Sequence, residues 1–508
     1  MHRLAIAAVL CCAALAQGQP PAPQAPKPTA PLTFRDEKAI LKTHSIKVGG
    51  KDLAYRSLTG FLPIKTEAGE IEAQLFYTAY LVDSGDAKQR PVTFCFNGGP
   101  GAGSLWLHLG AIGPRRVPMN PDGSMPPPPY RLVDNPSTWL DKTDLVFIDP
   151  VGTGYSRAKT PDIAKRFFSL RGDIESVGAV IRTWLTENRR WGSPLFLAGE
   201  SYGTTRAAGL AGHLVEKGVS FNGIFLISTI LNFQTARFAR GNDLPYAVFL
   251  PTYTAIAHYH KRLPADLQAS LEKAIGESRR YASGEYQSVL YKGDALTAAD
   301  RQKAVAQLAR LTGLSPAFID RSDLRIEIQR FCKELMREKG LTVGRLDGRL
   351  TSSTEGSLAS ERPEFDPSLT AIRPPYTSAM NQYAREELGF ETEYEYFALG
   401  GGVTAPWDFH IASSPGGQGY ADTSLALREA LAKNPYMKIF VASGYYDLAT
   451  PFEAALYTIQ HMGLDRNLRK NFHFAEYEAG HMMYIHEPSL TKLKQDVDQF
   501  FSGTLAAK

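Results

Sequence analysis

Residues 199–203 read Gly-Glu-Ser-Tyr-Gly, and the flanks of this pentapeptide give it meaning. Before it stands the apolar run Pro194-Leu195-Phe196-Leu197-Ala198, and after it a stretch rich in Ala, Gly and Leu. The pattern predicts a strand, a sharp turn and a helix, with Ser201 at the apex. Gly199 and Gly203 let neighbouring backbone approach closely, so the turn can lift Ser201 out of the end of a sheet. A chain built around such a turn needs a strand feeding directly into a helix, which constrains the fold class before any other feature is considered.

Short apolar segments recur along the chain at Val92–Phe96, Asp144–Ile148, Leu195–Ala198, Gly223–Ile227, Lys438–Ala442 and Phe472–Tyr477. Near-continuous apolar character is expected of parallel strands covered on both faces. Helical patterns separate some of them. Ser169–Arg190 carries Ile174, Val177, Ile181, Trp184 and Leu185 on one stripe. Strands alternating with helices predict a mostly parallel sheet flanked by helices. Together with the turn at Ser201, this predicts an α/β-hydrolase fold. His44–Asp83 reads as β-hairpin material, with alternation over Glu70–Val82.

Between residues 235 and 395 the pattern becomes helical and polar. Thr297 with Asp300 reads as the cap of a helix ending before Gly313, and Leu324, Ile328, Phe331 and Leu335 read as an apolar helix face ending near Gly340. Arg345–Pro375, rich in Ser, Thr and Pro, reads as irregular. The expected organisation is therefore a core in two parts, 32–234 and 396–508, with a largely helical cap inserted at 235–395.

A serine hydroxyl needs a general base, and the base needs an orienting acid. In this fold class the order along the chain is Ser, then Asp or Glu, then His. Lys438–Ala442 runs into Ser443-Gly444-Tyr445-Tyr446-Asp447, and Phe472–Tyr477 runs into Glu478-Ala479-Gly480-His481-Met482. Asp447 and His481 thus both fall just past strand ends, in the required order. Phe94-Cys95-Phe96 runs into Asn97-Gly98-Gly99-Pro100-Gly101-Ala102-Gly103-Ser104. A glycine-rich loop after an early strand can aim N–H groups at a developing oxyanion, with a second donor from Tyr202, the residue after the serine. The loop lacks the spacings of nucleotide-binding glycine motifs.

Five motifs then converge in order: Asn-Gly-Gly-Pro-Gly at 97–101, Asp149-Pro150-Val151-Gly152-Thr153-Gly154-Tyr155-Ser156, Gly-Glu-Ser-Tyr-Gly at 199–203, the Gly444 to Asp447 turn, and Gly480-His481-Met482. Over residues 97–482 the chain resembles the serine carboxypeptidases of the S10 type. The resemblance implies an α/β-hydrolase core with a helical insertion, and removal of C-terminal residues from peptides through an acyl-enzyme. It implies Ser201 as nucleophile, His481 as base and Asp447 as its orienter, with oxyanion N–H groups from Gly99 and Tyr202. It further implies that Asn97, the backbone of Gly98 and Glu200 hold the substrate's terminal carboxylate. Met482 would then be placed to touch the leaving residue, or else to fill the core.

Two close carboxylates repel unless they share a proton, so Glu200 would bind a terminal carboxylate in its protonated form. Peptidase activity biased to acidic pH is the expectation. An esterase or acyltransferase built on the same three residues is the nearest alternative, and a non-catalytic binding protein that kept the fold is a more distant one. The loop departs from many eukaryotic members, which carry Cys-Ser-Ser after Gly-Pro-Gly and several disulfides; here Ala102-Gly103-Ser104 stands in that place.

Met1–Ala16 has the charge, apolar run and Ala-Leu-Ala site of a secretory signal, and Gln17–Pro31 holds six prolines in fifteen residues, as a linker would. Cleavage removes Cys11, Cys12 and Arg3, one of 56 basic residues against 52 acidic ones, and leaves a net charge of +3. Without a basic run interleaved with aromatics, nucleic acid is not an expected partner. No later segment is apolar enough to span a membrane. Cys95 and Cys332 remain; buried free thiols are expected, with a single disulfide between them as the alternative. Periplasmic or extracellular location follows, and export without a disulfide framework points to a bacterial envelope. The His258-x-His260 pair has no accompanying ligand motif, so neither metal nor cofactor is expected. The expected partners are peptides with a free C-terminus.

Overall fold

The computed structural model describes residues 32–34, 38–83, 88–353, 359–409 and 419–506. The expected signal and linker lie outside them. The central sheet contains β1 (Ile40–Val48), β2 (Lys51–Lys65), β3 (Ile71–Val82), β4 (Val92–Phe96), β5 (Asp144–Ile148), β6 (Leu195–Glu200), β7 (Gly223–Ile227), β8 (Lys438–Gly444) and β9 (Phe472–Tyr477). Their order across the sheet is β1-β2-β3-β5-β4-β6-β7-β8-β9, and a two-residue strand, Arg157–Ala158, adds to β3. From β1 to β5 neighbours are antiparallel; from β5 to β9 they are parallel. This is the α/β-hydrolase architecture that the strand and helix pattern predicts. The expected hairpin over His44–Asp83 is in fact part of a three-stranded antiparallel meander that begins at Ile40.

The parallel strands are buried on both faces, and their residues alternate between two cores. Cys95, Phe196, Ala198, Phe225, Ile227 and Phe440 meet Trp139, Phe500 and Phe501 on one side. Phe94, Phe96, Leu197, Ile224, Leu226 and Val441 face the other. There they pack on α1 (Leu170–Glu187) and α2 (Tyr202–Val215). The expected stripe on α1 is the buried one, with Trp184 edge-on to Phe94 at 5.5 Å between ring centres. Ser169 caps α1 by accepting from the N–H of Gly172.

Strand register brings the carboxyl ends of the parallel strands to one edge. Phe96 stands opposite Gly199, Glu200 opposite Ile227, Ile227 opposite Ala442, and Ala442 opposite Ala475. The segments after β4, β6, β7, β8 and β9 therefore all leave the sheet at the same edge.

Between β7 and β8 the chain is mainly helical and includes α3 (Leu244–Tyr259), α4 (Ala298–Thr312) and α5 (Pro367–Glu386). Thr297 caps α4 through the N–H of Asp300, and Gly313 ends it in the left-handed region, as expected. Two expectations fail here. The apolar face drawn from Leu324 to Leu335 is a short helix, Ile328–Glu334, because Leu324 turns back at φ 61°. The stretch expected to be irregular, Arg345–Pro375, includes the start of α5, which runs on through Pro374 and Pro375. Asp366 caps it with Pro367 in the first turn, and Ala371, Ile372, Pro375, Tyr376, Ala379 and Met380 form a buried helical stripe. Packing of that stripe outweighs the two N–H groups the prolines lack. Cys95 and Cys332 are free and buried, as expected. Among the described residues no helix is long and apolar enough to cross a membrane, and no cluster of His, Cys, Asp and Glu could hold a metal.

Candidate active site

Ser201 sits between the end of β6 and the start of α2 with φ 61° and ψ −130°. That conformation is strained for any residue with a Cβ. Its surroundings hold it there. The Ser201 N–H donates to the Ile227 carbonyl at 2.9 Å, and the Ser201 carbonyl accepts from the Thr204 N–H at 2.8 Å and the Thr204 hydroxyl at 2.7 Å. A Cβ on Gly199 would strike the Gly203 carbonyl, and one on Gly203 would lie 2.8 Å from the Phe96 carbonyl. Both glycines are thus required by close approach, as the motif predicts.

His481 and Asp447 meet across the ends of β8 and β9. His481 Nδ1 lies 2.8 Å from Asp447 Oδ2. Asp447 is fully buried and also accepts from the Ala449 N–H at 2.7 Å, the Thr450 N–H at 3.1 Å and the Thr450 hydroxyl at 2.7 Å. Burial pulls the His481 imidazole down, but the Asp447 carboxylate, with help from Glu200, outweighs it and holds the ring above its ordinary value. The Ser228 hydroxyl donates to the His481 carbonyl at 2.5 Å, and the Ser228 N–H donates to Ala442. Because Ser228 follows β7, this ties the His481 loop to the strand that receives the Ser201 N–H.

The glycine-rich loop lies against the turn on its other side. A Cβ on Gly98 would fall on the amide nitrogens of Tyr202 and Gly203, and Gly99 has φ 99°. Among the described residues no acceptor is bonded to the N–H of Gly99 or of Tyr202. The Asp149 carboxylate accepts from the Ser104 N–H at 2.6 Å, and the Ser104 hydroxyl donates to Ile148, so the Asp149–Ser156 motif clamps the glycine loop. Arg206, fully buried on α2, pairs with Asp173 at 2.8 Å and donates from Nη1 to the Asn97 carbonyl at 2.6 Å.

Asn97 and Glu200 are joined directly. Asn97 Nδ2 donates to Glu200 Oε1 at 3.0 Å, while Asn97 Oδ1 accepts from the Leu107 N–H. Glu200 is only 3% exposed, and burial raises its carboxyl to about 7 against the opposing pull of His481, Tyr484 and Asn97. Met482 is buried, within the apolar cluster beneath the sheet.

Three contributors carry no motif. Tyr484 donates its hydroxyl to Glu200 Oε2 at 2.6 Å. Thr450 reaches both Asp447 and, at 3.2 Å, His481 Nδ1. The segment Arg345–Arg349 straps the two late loops together. The Leu346 carbonyl accepts from the His481 N–H at 2.6 Å, Arg345 from the Leu448 N–H at 3.0 Å, and Gly348 donates to Tyr446 at 2.9 Å. Asp347, paired with Arg349, accepts from the Gly480 N–H. The Asp347-Gly348 pair has the look of a turn, but nothing in the sequence says what that turn touches. His258 and His260 bond the carbonyls of Gln268 and Gly348, away from any cation site.

The chain is similar to "Serine carboxypeptidase-like 10" of Arabidopsis thaliana, 26% identical over 242 residues, which are 46% of this chain and 50% of that protein. It is also similar to "Pheromone-processing carboxypeptidase KEX1" of Saccharomyces cerevisiae, 34% identical over 112 residues, 21% of this chain and 14% of that protein. The chain thus spans half or less of the length of these relatives. Among solved structures it resembles a proline iminopeptidase of Mycobacterium smegmatis (13% identical, TM-score 0.35, covering 88% of this chain and 99% of that one). It also resembles esterase E22 (12% identical, TM-score 0.37, covering 88% and 100%). The model of the family Peptidase S10, serine carboxypeptidase, matches residues 49–492, and the chain belongs to that family.

Proposed function

We propose that this protein is a serine carboxypeptidase that removes C-terminal residues from peptides. The observation that carries this reading is the buried Glu200 carboxyl, bonded to Asn97 and Tyr484 and one residue from Ser201. In an esterase with Gly-Glu-Ser the same glutamate would be only a hydrogen-bonded turn residue, with no substrate carboxylate to bind. Held protonated, it donates a hydrogen bond to a substrate carboxylate beside the neighbouring Asn97 amide and Gly98 backbone.

In this reading Ser201 Oγ attacks the carbonyl carbon of the last peptide bond, and His481 takes the hydroxyl proton. Asp447 holds the imidazole in the right tautomer and balances its positive charge. The carbonyl oxygen becomes an oxyanion stabilised by the N–H groups of Gly99 and Tyr202. His481 returns the proton to the leaving nitrogen as the C–N bond breaks, freeing the terminal amino acid. Water then attacks the acyl-enzyme by the same route, releasing the shortened peptide and restoring Ser201. The segment 235–395 roofs the site as a helical cap, and residues 1–16 direct export. Support for export is the composition of that leader.

Activity on peptides requires protonated Glu200, so it falls as pH rises through about 7; it also requires neutral His481, whose raised value sets the limb on the acid side. The deciding assay compares a blocked dipeptide bearing a free C-terminus with its C-terminal amide from acid to neutral pH, with Ser201→Ala as the blank. Preference for the free acid that fades as pH rises supports the proposal. Equal cleavage of amides and esters at every pH overturns it in favour of an esterase or acyltransferase.

A further inference from the structure

Two arginines on segments that adjoin the site have no role in the reaction above. Arg237 lies on the segment that leaves the sheet after β7, and its guanidinium rests over the rings of Phe233 and Phe409 at 5.2 and 5.3 Å. Those two rings pack against each other and against Tyr202, the neighbour of Ser201, at 5.1 to 6.4 Å. Arg345 begins the strap whose next residue, Leu346, bonds the His481 backbone. Its positive field reaches both Arg237 and His481. Among the described residues no carboxylate pairs with either guanidinium. Asp347, the acid within the strap, is paired with Arg349, and Asp366 at the cap of α5 is occupied by the Arg345 N–H and by Ser368. Two like charges held near each other without a counter-ion raise the free energy of the empty site, and an anion between them relieves it.

The sheet order tells which part of a peptide they meet. The Asn97 loop leaves β4 on one side of the Ser201 strand, and the Arg237 segment leaves β7 on the other. A peptide whose terminal carboxylate lies at Asn97 and Glu200 therefore extends its acyl part toward Arg237. We propose that Arg237 and Arg345 select substrates with an acidic side chain, Glu or Asp, on the residue that supplies the acylated carbonyl. This selectivity rests on the carboxypeptidase reading and names its substrate class. The guanidinium of Arg237, stacked over the two rings, is held in place for a planar carboxylate.

The test measures kcat/KM for blocked dipeptides that share one leaving residue and differ in the penultimate one: Glu, Gln, Ala or Lys. For the wild-type chain a Glu over Gln preference of about five- to tenfold is expected, the size of a partly solvated charge pair. Arg237→Gln and Arg345→Gln should each bring the ratio toward one. Arg237→Glu should invert it in favour of Lys, which a purely structural role for Arg237 would not do. Turnover of the Ala substrate with equal rates for Glu and Gln overturns this inference and leaves the carboxypeptidase reading standing. A Glu preference that survives in all three variants also overturns it. Absence of Ser201-dependent turnover on any of the four sinks the carboxypeptidase reading and the selectivity with it.

Discussion

The Tyr484 hydroxyl donates to Glu200 Oε2 at 2.6 Å while Asn97 Nδ2 donates to Oε1 at 3.0 Å, so both oxygens of this buried carboxyl are engaged from opposite sides. Each bond favours the ionised form, and burial opposes them and prevails. Once protonated, Glu200 has one O–H to donate to a substrate carboxylate and fewer lone pairs left for its two present donors. Tyr484 is able to yield, because a phenol that donates can also rotate and accept.

Tyr484→Phe removes a bond that stabilises ionised Glu200, so Glu200 should stay protonated to higher pH. The alkaline fall in peptide kcat/KM should move up by about one pH unit, as expected for loss of one charge-assisted hydrogen bond of roughly 1.4 kcal/mol. A pH profile with a free-acid dipeptide measures it. A fall that stays in place, or moves down, would show that Glu200 does not govern this limb.

Glu200→Gln separates binding from chemistry. The neutral amide can still donate to a carboxylate, so the alkaline fall through about 7 should vanish from peptide profiles. The negative charge that helps hold His481 above its ordinary value is also lost, so the acid limb of ester hydrolysis should shift to lower pH. Ester kcat measured across pH reads the second effect free of the first. An ester acid limb that moves upward would contradict the charge relationship between the two residues.

How much of this site can be read from the chain alone depends on whether neighbours in sequence or neighbours in space make it. Ser201, Asp447 and His481 each follow an apolar strand, and the strand pattern brings them to one edge. The glycines at 98, 199 and 203 are legible because only close backbone approach explains them. Tyr484, Thr450 and the Arg345–Arg349 strap are not legible, since their bonds span 284, 31 and, for Asp347 to Gly480, 133 residues and leave no periodic trace. The helix at Pro367–Glu386 was hidden differently. Its buried stripe is helical in spacing, but two adjacent prolines argue locally against a helix, and only tertiary packing reverses that argument.

Thr450 should matter to catalysis more than its ordinary position suggests. Its hydroxyl donates to the same Asp447 oxygen that receives His481 Nδ1. Thr450→Val keeps the shape and the backbone N–H bond but leaves that oxygen one donor short. A fall in kcat on the order of tenfold is expected, the equivalent of about 1.5 kcal/mol, with KM little changed. Ester and peptide substrates should suffer alike, because the loss acts through His481 and not through Glu200. A loss confined to peptides would assign Thr450 to carboxylate binding instead.

Ser201 itself is expected to cost the fold stability. At φ 61° and ψ −130° its Cβ is in a region where a side chain is strained by about 1–3 kcal/mol. Glycine accepts that conformation, but it gains more freedom on unfolding, which offsets roughly 0.5–1 kcal/mol of the relief. Ser201→Gly should therefore be more stable than Ser201→Ala by about 1 kcal/mol, both being inactive. The comparison between two inactive variants removes the hydroxyl from the argument and leaves only the backbone. Urea midpoints at a common denaturation slope give the difference. If the alanine variant proves equal or superior, the turn stores no strain at this residue. The bonds from Ser201 to Ile227 and Thr204 would then hold a conformation that is already relaxed.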